Sequence, residues 1–182
     1  GYASVSTDEL KVYYRADNVD GNGNPGNGST TELVNLVQPG TYNGTIFNGT
    51  GVVQNVSKIG TPYEYAITMT RALATTSTYI LGDYLVQGGV NQATNATWEY
   101  WLKIDVAGSS SSIFTETHSI GPGTARHGIG VSVDISYDEF PPSGGTVSVL
   151  SSYPLSEYIQ IVVTKLNSTV SAYINGALLG TT

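Results

Sequence analysis

The chain carries few side chains able to do covalent chemistry: fourteen Asp and Glu, two His and no Cys among 182 residues. Glycoside hydrolysis needs two carboxylates flanking one bond, about 5 Å apart in a retaining enzyme. The nearest acidic grouping is Asp134, Asp138 and Glu139, and the local pattern puts these at a strand end and in a loop, not on one face. Asp138 and Glu139 therefore read as solvated loop charges. His118 and His127 stand nine residues apart across a Gly/Pro loop, with neither a nucleophile-elbow Ser nor a His-x-His ligand spacing. Both read as surface residues. No catalytic residue is assigned, and the chain is expected not to be an enzyme.

Binding chemistry is better represented. A hard cation such as calcium wants several carboxylate, amide and carbonyl oxygens in one loop. Asp17, Asn18, Asp20 and Asn22 are the densest oxygen cluster in the chain and the calcium candidates. No Glu closes a 12-residue EF-hand loop, and a plain Asn/Gly loop without an ion accounts for the same residues. A sugar ring wants an aromatic platform with carboxylate and amide groups beside it. Most Tyr of a β-sandwich instead pack with the hydroxyl at the rim. The glycan-binding candidates are Trp101, provided its strand turns it outward, with Tyr84 and Tyr137. Asn-x-Ser/Thr sequons at Asn27, Asn43, Asn48, Asn55, Asn95 and Asn167 take half of the twelve Asn. That is roughly twice what chance gives and is the signature of N-glycosylation on an outer surface; a Thr/Ser/Asn-rich surface produces it as well.

These residues need strands to position them. Ile159, Ile161 and Val163 alternate with Gln160, Val162 and Thr164, and Val170, Ala172 and Ile174 alternate with Ser171, Tyr173 and Asn175. Asn167-Ser168 turns the chain between them. Asn175-Gly176 is a type I′ hairpin signal, leading to a third strand at Leu178 and Leu179. Trp98, Tyr100, Leu102 and Ile104 share one face of the 95–106 strand, expected to pack inward. Glu99, Trp101, Lys103 and Asp105 share the other. Further strands are predicted at Leu10–Arg15, Tyr42–Ile46, Val52–Val53, Tyr65–Thr70, Tyr79–Tyr84, Ile113–Thr117, Gly128–Ile135 and Thr146–Leu150, with loops at Asn18–Ser29 and Tyr137–Gly145. About a dozen short strands suit a two-sheet antiparallel sandwich, and residues 1–182 read as a single domain.

Composition agrees: 12% charged, 22 Gly, 13 Tyr and 40% hydrophobic residues describe an all-β chain with polar loops, not disorder. The net charge of −7 and the seven scattered Lys and Arg exclude a basic patch for nucleic acid or an anionic membrane. No apolar run approaches the roughly 20 residues that span a bilayer, so membrane insertion is not expected. GYASVSTDEL does not read as a signal peptide; a cleaved mature chain and a cytosolic chain both fit it.

In chain order, LKVYYRADN with its Gly-rich loop, then NATWEYWLKIDV, then IQIVVTKLNSTVSAYINGALLGT resemble the successive signatures of laminin-G-like, concanavalin A-type lectin and glucanase domains. Tyr79–Tyr84 is similar to the segment that precedes the Trp strand in that family. Two departures stand out: the acid of Arg15-Ala16-Asp17 sits one place late, and Glu32-Leu33 replaces a Trp-x-Asp-Leu. The resemblance implies an antiparallel jelly-roll sandwich without substantial helix. It also implies a non-catalytic adhesion or carbohydrate-recognition module, extracellular or on a virion or cell surface, with a glycan or surface protein as partner. A structural subunit of a virion surface or extracellular filament is the alternative. A glycoside hydrolase is disfavoured because the Glu-x-Asp-x-x-Glu triplet of the β-glucan-cleaving relatives is missing. Family members continue past the final hairpin, so the sheet edge near 177–182 is expected to pair with a continuation of the chain or with a neighbouring subunit.

Overall fold

The computed structural model describes residues 10–47, 53–55, 65–67, 79–81, 95–103, 111–117, 126–131, 135–140, 145–149, 156–167 and 169–181. These hold thirteen antiparallel strands and no helix, an all-β chain as the composition predicts. No helix among them is long and apolar enough to cross a membrane. The chain divides into two compact units, Gly1–Tyr84 and Leu85–Thr182.

In the first unit, β1 (Glu32–Leu33), β2 (Gly44–Phe47) and β5 (Tyr79–Leu81) form one sheet in the order β1-β2-β5. β3 (Val53–Asn55) and β4 (Tyr65–Ile67) form a two-stranded ladder. Val19, Leu33 and Ile46 are buried, with Tyr14, Ile67 and Ile80 packed against them. Gly44 lies where β2 crosses this cluster. A Cβ there would stand 2.8 Å from Ile80 Cγ2 and 3.3 Å from Tyr14 Cζ, so only glycine fits.

The predicted strand at Leu10–Arg15 is not a strand, and its backbone partners explain why. The Asn35 side chain, wholly buried, replaces a ladder neighbour. Its Oδ1 accepts from the N–H groups of Tyr13 (3.0 Å) and Val37 (3.2 Å), and its Nδ2 donates to the carbonyls of Lys11 (3.1 Å) and Thr41 (3.0 Å). That exhausts the two lone pairs and two protons of a carboxamide. Leu36 N–H completes the link by donating to Tyr13 C=O at 2.9 Å.

In the second unit, β6 (Asn95–Lys103), β11 (Tyr158–Leu166), β12 (Thr169–Ile174) and β13 (Ala177–Thr181) form a sheet in the order β13-β12-β11-β6. β7 (Ser111–Thr117), β8 (Arg126–Val131), β9 (Ile135–Phe140) and β10 (Gly145–Val149) form another, in the order β10-β9-β8-β7. β9 corrects the predicted loop at Tyr137–Gly145. Asp138 and Glu139 are strand residues opposite Gly128 and His127. The polar composition of ISYDEF hid a strand that pairs on both sides.

Burial along β11 alternates as the sequence requires: Ile159, Ile161 and Val163 are buried and their neighbours are not. Val170, Ala172 and Ile174 of β12 join them, and Trp98, Tyr100 and Leu102 of β6 pack against the cluster. Asn175 (φ 50°) and Gly176 (φ 81°) form the predicted left-handed pair of the β12–β13 turn. A register shift between Ala172 and Tyr173 follows, and Leu179 is turned to the core while Leu178 stays exposed. Lys165, opposite Ala96 and Val170, falls on the core side by parity and is 8% exposed, a burial that its charge conceals in the sequence.

Asn35→Ala takes four hydrogen bonds from the backbone of Lys11, Tyr13, Val37 and Thr41, which are half-buried or exposed, and each bond contributes about 0.5–1.5 kcal/mol. Urea unfolding should show a loss of about 3 kcal/mol or more, and a loss under about 1 kcal/mol would deny the network its role. Ile161→Ala should cost about 2–5 kcal/mol in the same measurement, since the site sits amid close-packed strands.

Candidate functional site

Because side chains alternate across a strand, the residues of β6, β11 and β12 that miss the core gather on the opposite face of the sheet. Register sets their rows. Lys103 stands opposite Tyr158, Trp101 opposite Gln160, Glu99 opposite Val162 and Thr97 opposite Thr164. Tyr173 of β12 extends the row of Glu99 and Val162, and Ser171 extends that of Thr97 and Thr164. Leu178 and Thr181 of β13 complete these two rows. Trp101 is thus on the opposite side of the strand from Trp98, as alternation predicts, and is half-buried.

Glu99 organises the face. Its Oε1 accepts from Trp101 Nε1 at 3.1 Å and from Gln160 Nε2 at 2.7 Å. A carboxylate only accepts, so Gln160 must present its amide nitrogen there and turn its carbonyl oxygen elsewhere. Gln160 is held through its backbone too, donating to Asn175 Oδ1 (2.9 Å) and accepting from Asn175 N–H (3.0 Å). Glu99, Trp101, Gln160 and Tyr173 are all half-buried. Among the described residues, Glu99 Oε2, Gln160 Oε1 and the Tyr173 hydroxyl take part in no hydrogen bond. At one end, Lys103 Nζ lies 5.7 Å from the centroid of the Tyr158 ring. The arrangement can offer an indole plane, hydrogen-bond acceptors and a phenol to a ligand.

The other predicted site residues lie elsewhere. Tyr137 is in β9 opposite Ile129 and Val147, and Tyr84 lies outside the described residues. His127 shares a rung with Glu116 and Glu139 through the β7–β8 and β8–β9 pairings, a juxtaposition that spacing alone does not show. His118 and Asp134 lie outside the described residues.

The four calcium candidates fall in one loop, and the side chains of three of them, Asp17, Asn18 and Asp20, are engaged in its own bonds. Asp17 pairs with Arg15 through contacts of 2.8 and 2.5 Å. Asn18 Oδ1 accepts from Gly23 N–H at 2.7 Å. Asp20 Oδ1 accepts from the N–H groups of Asn22 (2.8 Å) and Asn24 (3.4 Å), and its Oδ2 accepts from Asn24 Nδ2 at 2.7 Å. Asn22 is exposed.

The sequons divide similarly. Asn27 is exposed, its Oδ1 accepting from Ser29 N–H at 2.8 Å, and Asn167 is exposed in a turn at φ 55°. Asn43 is half-buried, its Oδ1 receiving Asn35 N–H (3.0 Å) and Gly40 N–H (3.2 Å) and its Nδ2 donating to Glu32 (3.4 Å). Asn55 ends β3 opposite Tyr65, and Asn95 begins β6 opposite Leu166. Asn48 lies outside the described residues.

Comparison with protein-family models, with curated proteins and with solved structures finds no match.

The Asn24 side-chain amide, then the Asn22 N–H, hold the Asp20 carboxyl below its ordinary 3.8. A folded-state value below the unfolded one stabilises the loop above that range, and the contribution is lost as pH falls through the lowered value. An NMR titration of the Asp20 carboxyl carbon should give a midpoint under 3.8, with the Asn22 and Asn24 amide signals moving in step. A midpoint at or above 3.8 would dissolve this account of the loop.

Proposed function

We propose that this chain is a non-catalytic binding module of the laminin-G/concanavalin A jelly-roll type. It recognises a saccharide on an outer surface through the β6-β11-β12 face. The observation that carries the reading is the double donation of Trp101 and Gln160 to one oxygen of Glu99, which fixes an indole beside a carboxylate and an amide. That combination meets both needs of a sugar, an apolar ring face and hydroxyl edges. A sole carboxylate on this face of the described strands suits hydrogen bonding better than the paired-carboxylate chemistry of hydrolysis. Two four-stranded antiparallel sheets in the second unit, with β10 approaching β13, support the sandwich architecture.

A structural subunit of a virion surface or filament is the second reading. Its support is β13, which ends its sheet order and has no hydrogen-bonded strand on its far side among the described residues. Pairing there with a neighbouring copy or a further segment belongs to that reading. Exposed Asn27 and Asn167 are the acceptors a glycosylated surface protein would use, whereas the bonds of Asn43 compete with modification. Calcium belongs to neither reading as a requirement.

Titration with soluble neutral polysaccharides should change tryptophan fluorescence saturably, with and without calcium. Trp101→Ala should weaken binding by about tenfold or more, the loss of one stacked aromatic. Saturable binding that Trp101→Ala leaves intact would remove this face from the function. No binding to any polysaccharide would remove the function itself.

A further inference from the structure

The unpartnered atoms of the same face say what kind of saccharide fits it, an inference that rests on the reading above. With Oε1 of Glu99 occupied by Trp101 and Gln160, the atoms left to a ligand beside the indole are two acceptors, Glu99 Oε2 and Gln160 Oε1, and the second proton of Gln160 Nε2. A ligand group that meets the two oxygens must donate protons, as hydroxyls do and carboxylates cannot. Glu99 is half-buried, so water screens its charge less than at a fully exposed position. The net charge of −7 repels anions from the whole molecule as well. Among the described residues of this face the one cation is Lys103, four residues along β6 from Glu99, with its Nζ 5.7 Å from the centroid of the Tyr158 ring. Its row adjoins that of Trp101 and Gln160 and lies two rows from Glu99.

Span is the second observation. Trp101 and Tyr173 lie on β6 and β12 with β11 between them, which is about 10 Å across the sheet. They are also offset by one pleat, because Trp101 is opposite Gln160 while Tyr173 is opposite Val162. Val162 paves the ground between them. That diagonal is wider than one sugar ring.

We infer that the face selects a neutral, hydroxyl-rich oligosaccharide of at least two residues and rejects uronate-bearing chains. One ring stacks on Trp101 and donates hydroxyl protons to Glu99 Oε2 and Gln160 Oε1, and a later ring meets Tyr173. Rejection is the work of Glu99, whose charge opposes a second carboxylate at the same place.

The test is calorimetric titration of the intact chain with neutral hexasaccharides (β-1,4-glucan, xylan and mannan) and with hexagalacturonate. At least one neutral hexasaccharide should bind, and hexagalacturonate should bind at least tenfold more weakly at low salt, the gap narrowing as salt is added. Glu99→Gln keeps an acceptor for Trp101 and Gln160 and removes the charge, so the discrimination should shrink to within about threefold. Tyr173→Phe should weaken the hexasaccharide and leave any binding of the free monosaccharide unchanged. Wild-type protein that binds hexagalacturonate as tightly as the neutral chains overturns this inference and leaves the proposed function standing. So does a Glu99→Gln variant, folded by thermal unfolding, that discriminates as before. Binding to none of the four probes overturns both.

Discussion

The β13-β12-β11-β6 sheet depends on the register of β11 between its two neighbours. Side chains alternate with a period of two, so a slip by one residue would carry Ile159, Ile161 and Val163 out of the core and Gln160 into it. Burying three β-branched side chains stabilises the native register by about 1.5–3 kcal/mol each, relative to leaving them exposed. The face that holds Glu99, Trp101 and Gln160 is therefore positioned by groups on the other side of the sheet. The core does not touch a ligand, yet it decides which residues can.

The first unit solves a different problem. A segment without a regular ladder must still satisfy its backbone polar groups, since buried N–H and C=O groups left unpaired are costly. Asn35 does this for the backbone of Lys11, Tyr13, Val37 and Thr41 with one side chain and four hydrogen bonds. Asn43 then takes the Asn35 backbone N–H, so two carboxamides in series hold the connections around β1 and β2. A buried network of this kind is stable only when complete, which here it is for Asn35.

How much of this was legible follows from the range of each interaction. The β12–β13 turn was legible because Asn-Gly between alternating runs is a local signal, and the inward face of β6 because it is purely apolar and aromatic. β9 was not, since its pairing on both sides outweighs a loop-like composition. The Leu10–Arg15 strand was misjudged for a related reason: alternation reports which side is buried, not what supplies the hydrogen bonds, and the supplier was a side chain 22 residues from Tyr13. At the site, Trp101 could be placed by parity together with the apolar character of the opposite face. Glu99 and Gln160 could not be joined, because they are 61 residues apart and meet only once β6 pairs with β11.

The hairpin turn and the site are in turn one construction. Asn175 holds Gln160 by its own N–H and its side-chain oxygen, prolonging the β11–β12 ladder past Ile174. Gln160 so held keeps Glu99 in place from one side, as Trp101 does from the other. Ordering a polar side chain on binding costs roughly 0.5–1.5 kcal/mol. A carboxylate already anchored by two donors has met most of that cost during folding. The left-handed geometry of Asn175-Gly176 thus does more than reverse the chain: it places the amide that makes the carboxylate rigid.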